Sequence, residues 1–164
     1  MILIGLGANL DHPVWGTPRD TLVAALSALA DDGVASSARS GWYRSAPVPA
    51  SEQPWYTNAV AIVATDLEPH RLLALMQRIE GRFGRVPAAR NAARVLDLDL
   101  LDYGGRRLNS PELILPHPRM HERRFVLQPL AEIAPQWRHP ILGMSARQLL
   151  AELYQDQRLQ RMPC

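Results

Sequence analysis

The chain has 164 residues, a mass of 18.3 kDa and a net charge of +2, enough for one domain with a substantial buried core. All 18 basic residues are arginine. That excludes a Walker A loop and a protein-kinase site, since both need a lysine on the phosphates. The small net charge gives no argument for nucleic acid, and no apolar run approaches the ~20 residues of a membrane span. The single Cys164 leaves no disulfide framework within the chain. Met1 leads straight into Ile2-Leu3-Ile4 without the charged segment and long apolar stretch of a signal peptide. A cytoplasmic protein is expected.

In chain order, Ile2 to Leu6 predicts a buried strand ended by Gly7, followed by a loop from Asn9 to Gly16. Thr17 then reads as an N-cap, with Pro18 at the first helical position and Asp20 in the first turn. Leu22, Leu26 and Leu29 give that helix its apolar stripe, and Asp31-Asp32-Gly33 stops it. Val34 to Ser45 predicts a second strand. Ala46 to Pro54, with three prolines, predicts a connection long enough to serve as a lid. Tyr56 to Thr65 alternates as a strand. Pro69 opens a second helix with Leu72, Met76, Ile79 and Phe83 on one face, ended by Gly84.

After a loop from Arg85 to Ala93 comes the most informative stretch, Asp97-Leu98-Asp99-Leu100-Leu101. Its alternation is that of a strand, so both acids project to one face and Leu98 and Leu100 to the other. Residues two apart on a strand lie about 6.5–7 Å apart. Carboxylates that close repel unless a cation joins them. Hard oxygen ligands on a rigid strand suit Mg²⁺, which leaves further positions to water and phosphate. The plainer alternative is a strand with a solvated acidic face. Arg90 and Arg94 upstream, and His117, Arg119, Arg123 and Arg124 downstream, fit polyphosphate, whose oxygens guanidinium grips bidentately. Gly104-Gly105 predicts a hairpin turn into a return strand, Arg106 to Leu108. Pro116 to Pro118 predicts a rigid bend, and Met120 to Leu130 a short helix disturbed by Pro129. Ser145 with Gln148 predicts a capping box on a last helix, whose apolar face is Leu149, Leu150, Leu153 and Tyr154. Helices interleave with strands joined by short turns, which indicates α+β with an antiparallel or mixed sheet. No Gly-x-Gly-x-x-Gly supports a Rossmann site.

Arg90-Asn91-Ala92-Ala93-Arg94-Val95-Leu96-Asp97-Leu98-Asp99-Leu100-Leu101 resembles the signature of the 6-hydroxymethyl-7,8-dihydropterin pyrophosphokinases. Leu6-Gly7-Ala8-Asn9-Leu10, Tyr43-Arg44-Ser45, Tyr56-Thr57-Asn58-Ala59, Gln77-Arg78-Ile79-Glu80 and Leu115 to Met120 are similar to further segments of that family, in the same order. The resemblance implies one domain over residues 1–164 and a ferredoxin-like α+β fold, its helices packed on the sheet faces and three loops around the site. It implies transfer of the β,γ-pyrophosphoryl unit of ATP to a reduced hydroxymethylpterin, with AMP released. By the same resemblance Asp97 and Asp99 bind two Mg²⁺ ions, and Arg85 and Arg94 join them as catalytic residues. Gln77, Glu80, Leu100, His117 and Arg123 complete the ATP side. Ser45, Val48, Tyr56, Asn58 and Phe125 form the pterin side. A monomer with no nucleic-acid or membrane partner is expected. The sequence departs from the family where Asn91-Ala92-Ala93 replaces a frequent Trp-Gly-Pro and where Pro87 replaces an arginine of some members, so a different loop closure is expected. The alternatives are another Mg²⁺-dependent nucleotide transferase with an Asp-x-Asp pair, and an RNA-binding domain of ferredoxin-like shape, which the acidic strand disfavours.

Overall fold

The computed structural model describes residues 1–85, 93–153 and 157–163. Strands β1 (Ile2–Ala8), β2 (Ala35–Arg39), β3 (Tyr43–Ser45), β4 (Tyr56–Ala64), β5 (Asp97–Tyr103) and β8 (Leu159–Arg161) form one antiparallel sheet in the order β5-β1-β4-β3-β8, with β2 also paired to β4. Helices α1 (Pro18–Asp31) and α2 (Pro69–Arg82) lie on one face; α3 (Arg124–Ile133) and α4 (Ala146–Ala151) lie on the other. Up to β5 the order is β-α-β-β-β-α-β, a ferredoxin-like β-α-β-β-α-β unit whose second strand is split into β2 and β3, both paired to β4, with β1 between β4 and β5.

Local chemistry explains most boundaries. Thr17 accepts the Asp20 amide, and Asp20 returns a bond to the Thr17 amide, so α1 begins with a reciprocal cap. Ser145 and Gln148 do the same for α4. One core joins Leu22, Ala25 and Leu29 of α1 and Leu72, Met76 and Ile79 of α2 to Ile4, Leu6, Leu98 and Leu100. The opposite core joins Val126, Leu127 and Leu130 of α3 to Leu3, Val60 and Leu101. β1 pairs Ile4 with Leu100 but Leu3 with Asp102, so Leu101 is an extra residue in β5. Beyond it Asp102 turns to the α3 side and accepts the Trp137 indole N–H at 2.8 Å and the Gly105 amide at 3.1 Å.

Three expectations are corrected. The strand anticipated over Val34 to Ser45 is two, β2 and β3. Between them Ser40 leaves the ladder's regular pattern, its hydroxyl accepting the Val60 amide and donating to the Gly41 carbonyl. The segment after Gly104-Gly105 does not return along β5. Leu108–Asn109 (β6) pairs instead with Ile114–Leu115 (β7) in a separate ribbon. The helix expected over Met120 to Leu130 is a 3-10 turn, Met120–Glu122, then α3, broken at the extended backbone of Arg123; α3 continues through Pro129 to Ile133. The sheet is antiparallel among the described strands, one of the two expected arrangements, and β8 adds an edge strand that was not foreseen. Pro87, Arg90, Asn91, Ala92, Tyr154 and Cys164 lie outside the described residues.

Candidate active site

The α3 side of the sheet is half core and half open. Where α3 does not reach, strand register sets Asn58 of β4, Gly7 of β1 and Asp97 of β5 side by side, with Val60, Gly5 and Asp99 in the next row. Glycine at both β1 positions keeps the floor low between its polar walls. A Cβ on Gly7 would lie 3.1 Å from Asn58 Oδ1. Above this floor is a cavity of about 450 Å³, within the range of small-molecule sites.

One end of the cavity carries charge. Arg85, Arg94, Arg119 and Arg123 line it with Asp97, Asp99 and His117. Arg85 donates to Asp97 at 2.8 Å and makes a close ion pair with Glu80. Glu80 sits behind the wall and also accepts the Leu98 amide at 2.8 Å. Arg123 stands 3.7 Å from Asp99. Burial, and then the neighbouring charge of Asp99, push Asp97 up to about 6; burial raises Asp99 as well, against the pull of Arg123 and Arg85. Burial also pushes Glu80 up to about 7, opposed by the Leu98 amide. Burial, and then the Arg123 charge, hold His117 down to about 4, so its ring is neutral at pH 7. Its Nδ1 accepts the Arg119 amide at 3.1 Å, which leaves the ring proton on Nε2.

The other end combines aromatic rings with a buried amide and a hydroxyl. Ser45, Val48, Tyr56, Asn58 and Phe125 line it together. Asn58 is 4% exposed and donates to Ser45 Oγ at 2.5 Å. Tyr56 donates to Gln53 at 3.2 Å, and burial, with the charge of Asp97 second, raises its phenol pKa.

Thus Arg85, Arg94, Asp97, Asp99, His117 and Arg123 share one cavity with all five residues of the expected pterin side. Glu80 meets it through Arg85. Gln77 is exposed on α2 and Leu100 is in the core beneath β5; neither lines it. Sequence reasoning gave no specific role to Asn9 or Gln157, and placed Arg119 only within the group of residues expected to hold polyphosphate. Asn9, 3% exposed, ties three connections together. Its side chain donates to Gln53 and the Pro54 carbonyl at 2.8 and 2.9 Å and accepts the Arg94 amide at 2.8 Å, while its own amide donates to the Arg94 carbonyl. A buried asparagine directly after a strand was the available signal. Arg119 stood among the downstream arginines. Gln157 had no local signal, because the tail reaches the cavity only through the tertiary fold.

The donor set fits Mg²⁺. Two carboxylates on one strand supply hard oxygens, and burial with mutual repulsion leaves them receptive to a cation. Among the described residues no cluster of three or more His, Cys, Asp or Glu could hold a metal, so the remaining ligands would be water and substrate phosphates. The buried Arg119 Nη1 has no hydrogen-bond partner among the described residues, as befits a donor awaiting an anion.

Comparison with known proteins identifies the family by sequence. Residues 3–135 match the family model for 7,8-dihydro-6-hydroxymethylpterin-pyrophosphokinase. Three relatives carry the name 2-amino-4-hydroxy-6-hydroxymethyldihydropteridine pyrophosphokinase. One from Synechocystis sp. is 40% identical over 152 residues, covering 92% of this chain and 75% of its own. One from Methylorubrum extorquens is 40% identical over 151 residues, covering 92% and 91%. One from Haemophilus influenzae is 43% identical over 132 residues, covering 80% and 79%. By sequence match over most of its length, the chain belongs to the 7,8-dihydro-6-hydroxymethylpterin-pyrophosphokinase family.

Proposed function

We propose that this protein transfers the β,γ-pyrophosphoryl group of ATP to 6-hydroxymethyl-7,8-dihydropterin in folate biosynthesis, giving the pterin diphosphate and AMP. The observation that carries the reading is one cavity holding Asp97, Asp99 and four arginines at one end and Asn58, Ser45, Tyr56 and Phe125 at the other. The pterin hydroxyl oxygen forms a bond to the β-phosphorus, the bond from that phosphorus to the α–β bridging oxygen breaks, and the hydroxyl proton passes to solvent. Such a transfer needs alignment and charge stabilisation more than covalent help.

Asn58 offers a fixed amide to the pterin's polar edge, and Phe125 and Tyr56 offer aromatic faces. Arg119 and Arg123 steady the charge that develops on the phosphate oxygens, and neutral His117 presents an Nε2 donor to the same anion. Arg85, held by Glu80 and Asp97, spans from the wall to the acidic pair. Asp97 and Asp99 would hold two Mg²⁺ ions, which when bound draw charge from the phosphate oxygens and ease loss of the hydroxyl proton. In this reading the enzyme acts as a cytoplasmic monomer on two small molecules. No helix among the described residues is long and apolar enough to cross a membrane.

The test is incubation with ATP, Mg²⁺ and 6-hydroxymethyl-7,8-dihydropterin, followed by nucleotide analysis. AMP is expected in equal amount to the pterin diphosphate. ADP as the product would mean single-phosphoryl transfer and refute the assignment.

A further inference from the structure

We propose that Gln157 and Arg158 form a strap that positions the pterin side of the cavity, with Gln157 as a positioning residue for Phe125. The substrate named in the proposal rests on the pyrophosphokinase reading. The strap itself lies outside the matched stretch, which ends at residue 135.

β8 adds to the free edge of β3, pairing Tyr43 with Arg161 and Ser45 with Leu159. Covering an edge is an ordinary use of a tail, and it accounts for Leu159 to Arg161. It does not account for the two residues before the pairing. Gln157 lines the cavity beside Ala46 and Phe125. Its Oε1 accepts the Arg124 amide at 2.9 Å, and its Nε2 donates to the Glu122 carbonyl at 2.8 Å. Those two backbone groups bracket Arg123, where the 3-10 turn ends and α3 begins. The α3 N-cap residue, Arg123, makes no side-chain capping bond. The first-turn amide of Arg124 would otherwise be an orphan donor. Gln157 therefore caps α3 from a distant part of the chain, one residue before Phe125.

Arg158 holds the opposite wall. Its carbonyl accepts the Ala46 amide at 3.1 Å, at the start of the 46–54 connection. Its guanidinium lies 4.8 Å from the ring centre of Trp55, at the end of that connection. Two successive residues thus fasten the start of α3 and both ends of the connection carrying Val48. A primary amide suits position 157 because the site needs one acceptor and one donor. Glutamate keeps only the acceptor and alanine keeps neither.

The experiment uses full-length wild type, Gln157→Ala and Gln157→Glu. Amide hydrogen exchange on the ligand-free proteins comes first. Gln157→Ala is expected to speed exchange at Arg124 by about 5-fold or more, and Gln157→Glu by less, since one side-chain hydrogen bond separates them. Steady-state AMP release follows. In Gln157→Ala, KM for the dihydropterin is expected to rise about 3- to 10-fold while KM for ATP stays within about 2-fold. Unchanged exchange at Arg124 overturns the strap. Faster exchange with an unchanged pterin KM, or with equal rises for both substrates, overturns its positioning role and leaves a structural tail. A wild-type protein that releases no AMP defeats the substrate assignment instead, and the exchange arm, which needs no substrate, still decides the strap.

Discussion

Exchanging Gly7 and Gly5 for alanine separates space at the site from stability of the fold. Both lie in β1 with ordinary strand backbone, outside the positive-φ glycines. Alanine is therefore conformationally acceptable at each and stabilises a strand by roughly 0.5–1 kcal/mol over glycine. The surroundings differ. At Gly5 a methyl would meet Leu101 Cδ1 at 3.5 Å and Asp99 Cβ at 3.7 Å, ordinary contacts. At Gly7 it would meet Asn58 Oδ1 at 3.1 Å. Asn58 cannot recede freely, because its Nδ2 is held by Ser45 Oγ at 2.5 Å. Weakening that bond costs about 1 kcal/mol, which offsets the backbone gain. Gly7→Ala should therefore melt within about 4 °C of wild type. Yet it displaces the Asn58 amide proposed to face the pterin and raises the floor beside Asp97, so kcat/KM for the dihydropterin should fall about 10- to 100-fold. Gly5→Ala should stay within about 3-fold, a change below about 0.7 kcal/mol. AMP release at varied dihydropterin, with a thermal melt of each protein, measures both quantities. Wild-type kcat/KM in Gly7→Ala, or an equal loss in Gly5→Ala, would refute the argument that the glycine row clears the floor.

Asp99→Ala should reduce AMP release to background while the circular-dichroism melt stays cooperative; retained turnover would remove the carboxylate pair from the mechanism. Trp137→Phe takes the indole donor from Asp102, which is 3% exposed, and should cost about 1–3 kcal/mol in urea unfolding with little change in kcat; an unchanged midpoint would contradict it. The pH dependence of stability has a definite sign at His117. Its pKa falls from 6.5 to about 4 on folding, so the unfolded chain takes up the proton first. The stability gained from the neutral ring is complete above pH 6.5 and is lost as pH falls toward 4. At pH 5 the full linkage is about 2 kcal/mol, or roughly 1 after discounting for partial exposure. His117→Asn should therefore lose about 1 kcal/mol less than wild type between pH 7.5 and pH 5, and parallel pH curves for the two proteins would exclude this.

Local signals were readable where the chain decides its own geometry. The Thr17 and Ser145 caps, the alternation through Asp97 and Asp99 and the stripe of α2 depend on neighbours within a few residues. The sequence could not show where β5 changes phase, because the extra residue at Leu101 is defined only against β1. The break between β2 and β3 depends on Ser40 reaching Val60, and β6 chooses β7 over β5 through tertiary pairing. At the site, Asp97, Asp99, Asn58 and Phe125 stood out by residue type and resemblance. Asn9 was visible as part of a motif but not as the tie among three connections, and Gln157 matters only once the tail has docked along β3.

The bulge in β5 gives one strand two separate phases. On the α3 side of the sheet, Asp97 and Asp99 before it face the cavity, whereas Leu101 and Asp102 face the α3 core and Trp137. An exchange at Asp102 or Tyr103 can thus reshape the interior without rotating Asp97 or Asp99 away from their row. Reactivity and foldedness share a seven-residue segment yet are free to drift apart over generations, and a designer could transplant the first half of that segment without inheriting the second.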